Sequence, residues 1–330
     1  MEKRYLFEFQ IYIFLFKAEK IYYPLLAAIT IPMNILTIFI LIHGKCGLSK
    51  CITCYLVAMA AADMFVVIID VILRQIPIVY EEQFIFMYSL PLCNIHAVLL
   101  YAVTDCSIWF TVTFTMDRFI AICYQKLTTK YCRQKTVIII LGAVTILSCL
   151  KNVVWYFMFT GQYWLSNAPW FCEVKMHVLQ SRIWGTIELL HHILTPFVPF
   201  ILILLLNVLT VKYIVVASKA RKRLRNHNNS PKDPQMESRR KSMILLFVIS
   251  GNFILLWSMF MVYSIWSRMW EMGYRSIYLP YFVQELGFMM QLLSCCTNTC
   301  IYVVTQTKFR DQMKKAMKYP FFLIRKAINL

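Results

Sequence analysis

Ionisable residues stand inside stretches of this chain that are otherwise apolar. Asp63, Asp70 and Arg74 lie in one such stretch, and Asp105, Asp117 and Arg118 in the next. Glu188, His191 and His192 lie in a later one, and Glu285 in the last. A charge held in hydrocarbon costs about 2.5–3.5 kcal/mol even on lenient insertion scales, so such residues pair, reach out to water, or bind something. Binding is therefore the chemistry to expect. Covalent catalysis is not: His191 and His192 are neighbours and cannot face one metal from one side of a helix, and neither H-E-x-x-H nor G-x-S-x-G occurs. Asp70 and Arg74 have the i,i+4 spacing of a helical ion pair. Tyr101, Trp109, Tyr263, Trp266 and Tyr281 add rings that suit a pocket wall, and Gln291 adds an amide. Both charge signs beside aromatic rings suit a zwitterionic or peptide-like ligand. The alternative is a set of internal ion pairs that no ligand touches.

The elements that must position these residues are membrane-crossing helices. The 330 residues are 60% hydrophobic and only 15% charged, and the mean hydropathy is +0.61. A soluble domain runs nearer half apolar and about a quarter charged. Disordered, collagen-like and ordinary soluble chains are excluded. A bilayer core of about 30 Å needs ~20 apolar residues of helix, and seven stretches meet that need: 21–43, 52–74, 89–123, 135–158, 185–217, 240–267 and 277–304. The fold class expected is an all-α membrane protein, a seven-transmembrane helix bundle over 21–304. Residues 1–20 are expected as an extracellular or interfacial segment, with a cleaved signal peptide as the alternative. Residues 305–330 are expected as a cytoplasmic tail that opens with a short amphipathic helix, because Phe309, Met313 and Met317 recur about once per turn with lysines between them. No inverted repeat of the kind found in transporters is visible.

Charge sets the orientation. With residue 1 outside, the outer segments hold nine Lys/Arg and the inner segments 24, with Lys151 inside the fourth stretch. The positive-inside rule places the N-terminus outside. The net charge of +18 is then largely topological, and no nucleic-acid partner is needed to explain it. Of twelve cysteines, only Cys93 and Cys172 fall near the outer face. A bridge between them is expected in an oxidising compartment, with two free thiols as the alternative. The other ten read as small apolar packing residues. The sequon Asn228-Asn-Ser230 falls on the inner side and should stay unglycosylated.

Further landmarks appear in order. Asp117-Arg118-Phe119 closes the third stretch, 25 residues after Cys93, which is about 38 Å of helix. Asn34, Ala-Ala-Ala-Asp63, Pro199, Trp257 and Asn298-Thr-Cys-Ile-Tyr302 mark the first, second, fifth, sixth and seventh stretches, and Lys308-Phe309-Arg310 follows. In these the chain resembles the rhodopsin-like (class A) G-protein-coupled receptors, over nearly its whole length. Asp117-Arg118-Phe119 matches the DRY motif with Phe for Tyr, Asn298–Tyr302 resembles NPxxY, and Cys93 and Cys172 match the family disulfide. The stretches Asn34-Ile-Leu-Thr, Tyr55–Asp63 and Ser107-Ile-Trp-Phe-Thr are most similar to an orphan branch that contains the probable G-protein coupled receptor 139, an aromatic-amino-acid sensor.

The resemblance implies a plasma-membrane, multi-pass receptor that binds an extracellular ligand, amino-acid-like or peptide, and promotes nucleotide exchange on a heterotrimeric G protein. Arrestin and membrane lipid are the other implied partners. Asp117, Arg118, Phe119, Asn298, Tyr302 and Trp257 would carry activation. Asp63, Ser107, Ser294 and Asn298 would gather around a sodium ion, the one cofactor implied; the alternative is a protonated Asp63 in a hydrogen-bond network. Asp70, Arg74, Tyr101, Asp105, Glu188, His191, His192, Tyr263, Glu285 and Gln291 are the ligand-pocket candidates. Leu100 stands where amine receptors of the family carry Asp, and no lysine occurs from Ile277 to Thr307, which argues against amine binding by that route and against retinal.

The chain also departs from the family. Met259 and Thr299 replace the kink prolines of spans six and seven. A decoy or scaffold that no longer signals is therefore the second expectation. A transporter or channel would need a continuous polar path, and the polar residues cluster instead in the outer half and at Asp63.

Overall fold

The computed structural model describes residues 2–44, 46–124, 131–166, 171–179, 181–225, 234–273 and 279–328. The sequon at Asn228, the greater part of the loop around it, and the side chains of Ser238, Tyr281 and Met317 lie outside the described residues.

Hydrocarbon offers no hydrogen-bond partner, so each apolar stretch must satisfy its own backbone, and it does so as helix. Seven helices are long and apolar enough to cross a membrane. Helix α1 runs over Glu2–His43. Ser49 caps α2, accepting from Ile52 N at 3.3 Å, and α2 covers Lys50–Val79. Its Val67–Gln75 portion is a wider π-helical turn, in which Ile76 N reaches back to Val71 O. Pro77, just beyond, has no N–H to continue the ordinary ladder. Helix α3 is Cys93–Cys123 and α4 is Gln134–Met158. An antiparallel hairpin follows, β1 (Phe159–Tyr163) with β2 (Cys172–Val174), in which Phe159 faces Val174 and Tyr163 faces Cys172. Helix α5 runs through Arg182–His192, a kinked Ile193–Phe197 and Val198–Arg225. Helices α6 (Pro234–Glu271), α7 (Tyr281–Thr305) and α8 (Thr307–Ile328) complete the chain.

Two boundaries differ from the sequence reading. Residues 1–20 are not set off from the first span: α1 is unbroken for 42 residues, about 63 Å, because no Gly or cap interrupts the apolar run. The tail helix is not short, at 22 residues. The bend in α5 falls at Thr195, where the backbone is extended at φ −149° and ψ 104°, four residues ahead of Pro199.

The interior holds several apolar clusters, among them an inner and an outer core. The inner one gathers Tyr55, Leu56, Phe114, Leu245 and Tyr302, and Phe309 and Met313 of α8 seat on it. The outer one gathers Trp155, Phe159 and Phe171 around Cys93 and Cys172. Outward-facing Ile139, Leu147, Leu150 and Val216 are exposed, as a lipid face requires. Helices α6 and α7 pack closely because Gly287 lacks a side chain: a Cβ there would stand 3.1 Å from the Phe260 Cα.

Cys93 and Cys172 are bridged, with Cα atoms 5.7 Å apart and a sequence separation of 79. The bridge ties the hairpin to the outer end of α3 and should contribute about 2–4 kcal/mol by restricting the unfolded loop. Cys93→Ser is expected to lose surface delivery, read by antibody labelling of intact cells. Wild-type surface level together with wild-type thermal stability would refute that role.

Candidate functional site

The polar residues form three levels along the bundle. At the middle level Asp63 of α2 is buried, and its two carboxyl oxygens each accept one bond. Ser107 Oγ of α3 donates to one at 2.7 Å and Asn298 Nδ2 of α7 to the other at 2.7 Å. Ser294 is not among these partners: its hydroxyl donates to Gln291 O at 2.6 Å and accepts from Trp257 Nε1 at 3.3 Å. Trp257 stacks on Phe253 at 5.5 Å and meets Phe260 edge-on at 6.0 Å. Beside this level, Thr299 donates to Asn34 Oδ1 at 3.3 Å and lies 2.9 Å from the Thr37 hydroxyl. Asn34 Nδ2 donates to Cys295 O at 3.2 Å. The residue in the proline position of span seven thus clasps α7 to α1.

At the inner level Arg118 is buried and pairs with Asp117, its Nε donating to Asp117 Oδ2 at 3.0 Å and its Nη2 to the same oxygen. Arg118 Nη1 also donates to Ser242 Oγ of α6 at 3.3 Å. Phe119 is half-buried and meets Tyr124 edge-on at 5.8 Å. Tyr302 packs edge-on against Phe309 at 6.0 Å, and its hydroxyl has no hydrogen-bond partner among the described residues. Next to this level, burial and then the Asp117 carboxylate push the Cys132 thiol up to about 12. It stays a neutral thiol, in keeping with a packing role.

At the outer level the charges meet one another. Arg74 Nη1 bonds Asp70 Oδ1 at 3.0 Å, and its guanidinium lies over Phe288 at 4.7 Å and Phe171 at 5.3 Å. Asp105 is bound by Lys151 Nζ at 2.6 Å and by Asn152 Nδ2 at 2.5 Å. Lys151 also donates to Thr195 Oγ1 at 2.8 Å, at the bend of α5. Glu188 pairs with Arg268 of α6. Tyr101 stacks on Trp155 at 4.6 Å, and His191 sits edge-on to both at 5.0 Å. His192 is buried beside His191. Tyr263 Oη donates to Gln284 Oε1 at 2.6 Å. Gln291 is buried one turn above Ser294. Glu285 is the one pocket candidate that lines the outer cavity of about 510 Å³ beside α1. Outside the spans, burial and then the hydrogen bond to Glu81 raise the Tyr88 phenol above its ordinary value.

The sequence reading placed Lys151 inside the fourth stretch but gave it no role, and it missed Arg268, His96 and Glu19. A lysine inside a span signals an acidic partner without saying which one. Arg268 lies 80 residues from Glu188, a separation that gives no local signal. His96 bridges Ile69 O at 2.8 Å and the Tyr163 hydroxyl at 3.2 Å. Glu19 is buried in a segment that was expected to lie at the interface. Among the described residues no group of three or more His, Cys, Asp or Glu side chains is placed to share a metal ion.

The arrangement suits a bundle that binds and shifts, with buried charges that can exchange partners. Comparison with known families agrees: the family model described as 7 transmembrane receptor (rhodopsin family) matches residues 33–302.

The Asp105–Lys151 pair joins α3 to α4 and, through Thr195, to α5. Asp105→Asn leaves Lys151 without its counter-charge and should cost about 3–5 kcal/mol. Asp105→Asn with Lys151→Met should recover most of that loss, measured as thermal unfolding in detergent. Equal unfolding temperatures for the single and double variants would remove the pair from the account.

Proposed function

The chain belongs to the rhodopsin family of seven-transmembrane receptors, and from that premise we propose that it responds to an extracellular ligand by promoting nucleotide exchange on a heterotrimeric G protein. The membership makes it a multi-pass membrane receptor of the G-protein-coupled class and not an enzyme. The finer reading is supported above all by the inner clasp. Arg118 is buried against Asp117 and reaches Ser242 on α6. A movement of α6 away from α3 breaks the Ser242 contact and bares a charged residue to an inner cleft, and a ligand that favours the open state shifts the population toward it. We place the receptor in the plasma membrane, with the G protein and then arrestin at the basic inner face.

The ligand we infer is amino-acid-like or a short peptide, in line with the resemblance to the orphan branch. Its support is the Tyr101, Trp155 and His191 ring cluster beside the Glu188–Arg268 pair, where rings and both charge signs meet. A zwitterion can exchange partners with such a pair. We also propose that Asp63 holds a sodium ion with Ser107, Asn298 and Ser294. Each Asp63 oxygen accepts only one hydrogen bond, which leaves acceptor capacity on both.

One observation favours the decoy reading. Thr299 ties α7 to α1 where a proline would leave that end free to bend. Restoring proline at Met259 and Thr299 in a silent receptor separates the readings, since a decoy made so by these residues regains signal.

Ligand-free G-protein activation across the Gα classes, at matched surface expression, tests the proposal. Asp117→Asn should raise the basal signal severalfold and Arg118→Ala should abolish it. An unchanged signal in both variants would overturn the reading. Asp63→Asn should remove the dependence of signalling on sodium concentration, and a retained sodium response would sink the ion site.

A further inference from the structure

Between α1, α7, the outer end of α2 and the loop after β1 lies the cavity of about 510 Å³. Among the described residues its lining carries four carboxyls, Glu19, Glu81, Glu82 and Glu285, and one cation, Lys20. This is a negative recess in a chain of net charge +18. Glu19 on α1 and Glu285 on α7 are buried, at 5% and 4% exposure, and their carboxyls hydrogen-bond each other. A carboxylate cannot donate, so that bond holds a proton and the pair carries at most one negative charge. Glu19 Oε1 is buried with no partner among the described residues, on a side chain that lines the cavity. An orphaned acceptor of this kind is destabilising until a donor fills it.

The recess already accommodates a cation. Lys20 Nζ stands 5.0 Å from the Phe16 ring centre and 5.8 Å from that of Tyr80. Tyr12 stacks on Phe16 at 6.3 Å, and Tyr80 Oη donates to Lys20 O at 2.8 Å, fixing the wall. Lys20 is exposed on a flexible stem and can swing out.

We propose that this recess binds a small organic cation, an ammonium head on an aromatic or apolar body, apart from the centre of the bundle. The ammonium donates to Glu19 Oε1, its charge complements the carboxyl-rich lining, and the body takes the place of Lys20 over Phe16 and Tyr80. Glu81 and Glu82 draw cations to the mouth. The volume is within the range of small-molecule pockets, about 300–1,000 Å³.

Purified receptor in lipid nanodiscs, titrated calorimetrically, tests this without any signalling readout, so loss of the G-protein reading leaves it standing. The probes are 2-phenylethylammonium, its neutral isostere 2-phenylethanol, and a lysyl-phenylalanine amide. The ammonium is expected to bind about tenfold or more tightly than the alcohol, and Glu19→Gln to weaken it by about tenfold. Lys20→Met, at an exposed position that folding does not need, should tighten it. Tighter binding of the dipeptide amide assigns the cation to a peptide, and tighter binding of the amine to a free metabolite. Equal binding of amine and alcohol, no binding of either, an unchanged affinity in Glu19→Gln, or weaker binding in Lys20→Met would each overturn the proposal. If Glu19→Gln does not fold, the amine–alcohol comparison and Lys20→Met decide it.

Discussion

Water is absent from the middle of a bilayer, and every polar group left there must find its partner within the protein. That constraint makes the backbone helical, and it also decides how the helices sit. Asp105 cannot point at lipid, so α3 turns it toward Lys151 and Asn152 on α4. Glu188 cannot either, so α5 meets Arg268 on α6. Asp63 draws in donors from α3 and α7. Apolar packing against lipid-like surfaces discriminates weakly between rotations of a helix about its axis. A buried charge discriminates strongly, because the wrong rotation leaves it unpaired.

The same constraint explains what could be read from the residues alone. The seven spans were legible because hydropathy over a membrane thickness is a long, redundant signal. The Cys93–Cys172 bridge was legible because only these two cysteines lie near the outer face, and Asp70 with Arg74 because i,i+4 neighbours share a helix face. Asp105 stood out as a buried charge, but its partner did not, since pairing across helices depends on rotations that no single segment encodes. Glu19 was hidden for another reason. It sits in an apolar run at the edge of the first span, and only the approach of α7 brings Glu285 to it and makes it an interior residue. The helix boundaries at residue 20 and in the tail were misplaced because no cap or glycine marks them.

The departures from the family pattern acquire a physical meaning in this setting. Thr299 spends its hydroxyl on α1, which straps α7 where a proline would free it. The irregular backbone lies elsewhere. Helix α2 widens at Val67–Gln75, and α5 is kinked at Thr195; each place carries or adjoins a buried ion pair. Wide turns of the α2 kind are frequent at functional sites. In the outer half of the bundle, buried ion pairs and irregular helices therefore coincide.

Gly287 has a mechanical consequence. It lets α7 lie against the backbone of α6 at Phe260, about one turn outward of Trp257, with backbones too close for either helix to slide past the other. A contact of that kind is a fulcrum. Such a contact divides α6 into a short outer arm and a long inner arm that reaches beyond Ser242 to Pro234, so a tilt about it displaces the inner end further than the outer. The point of division is set by the position of one missing methyl group.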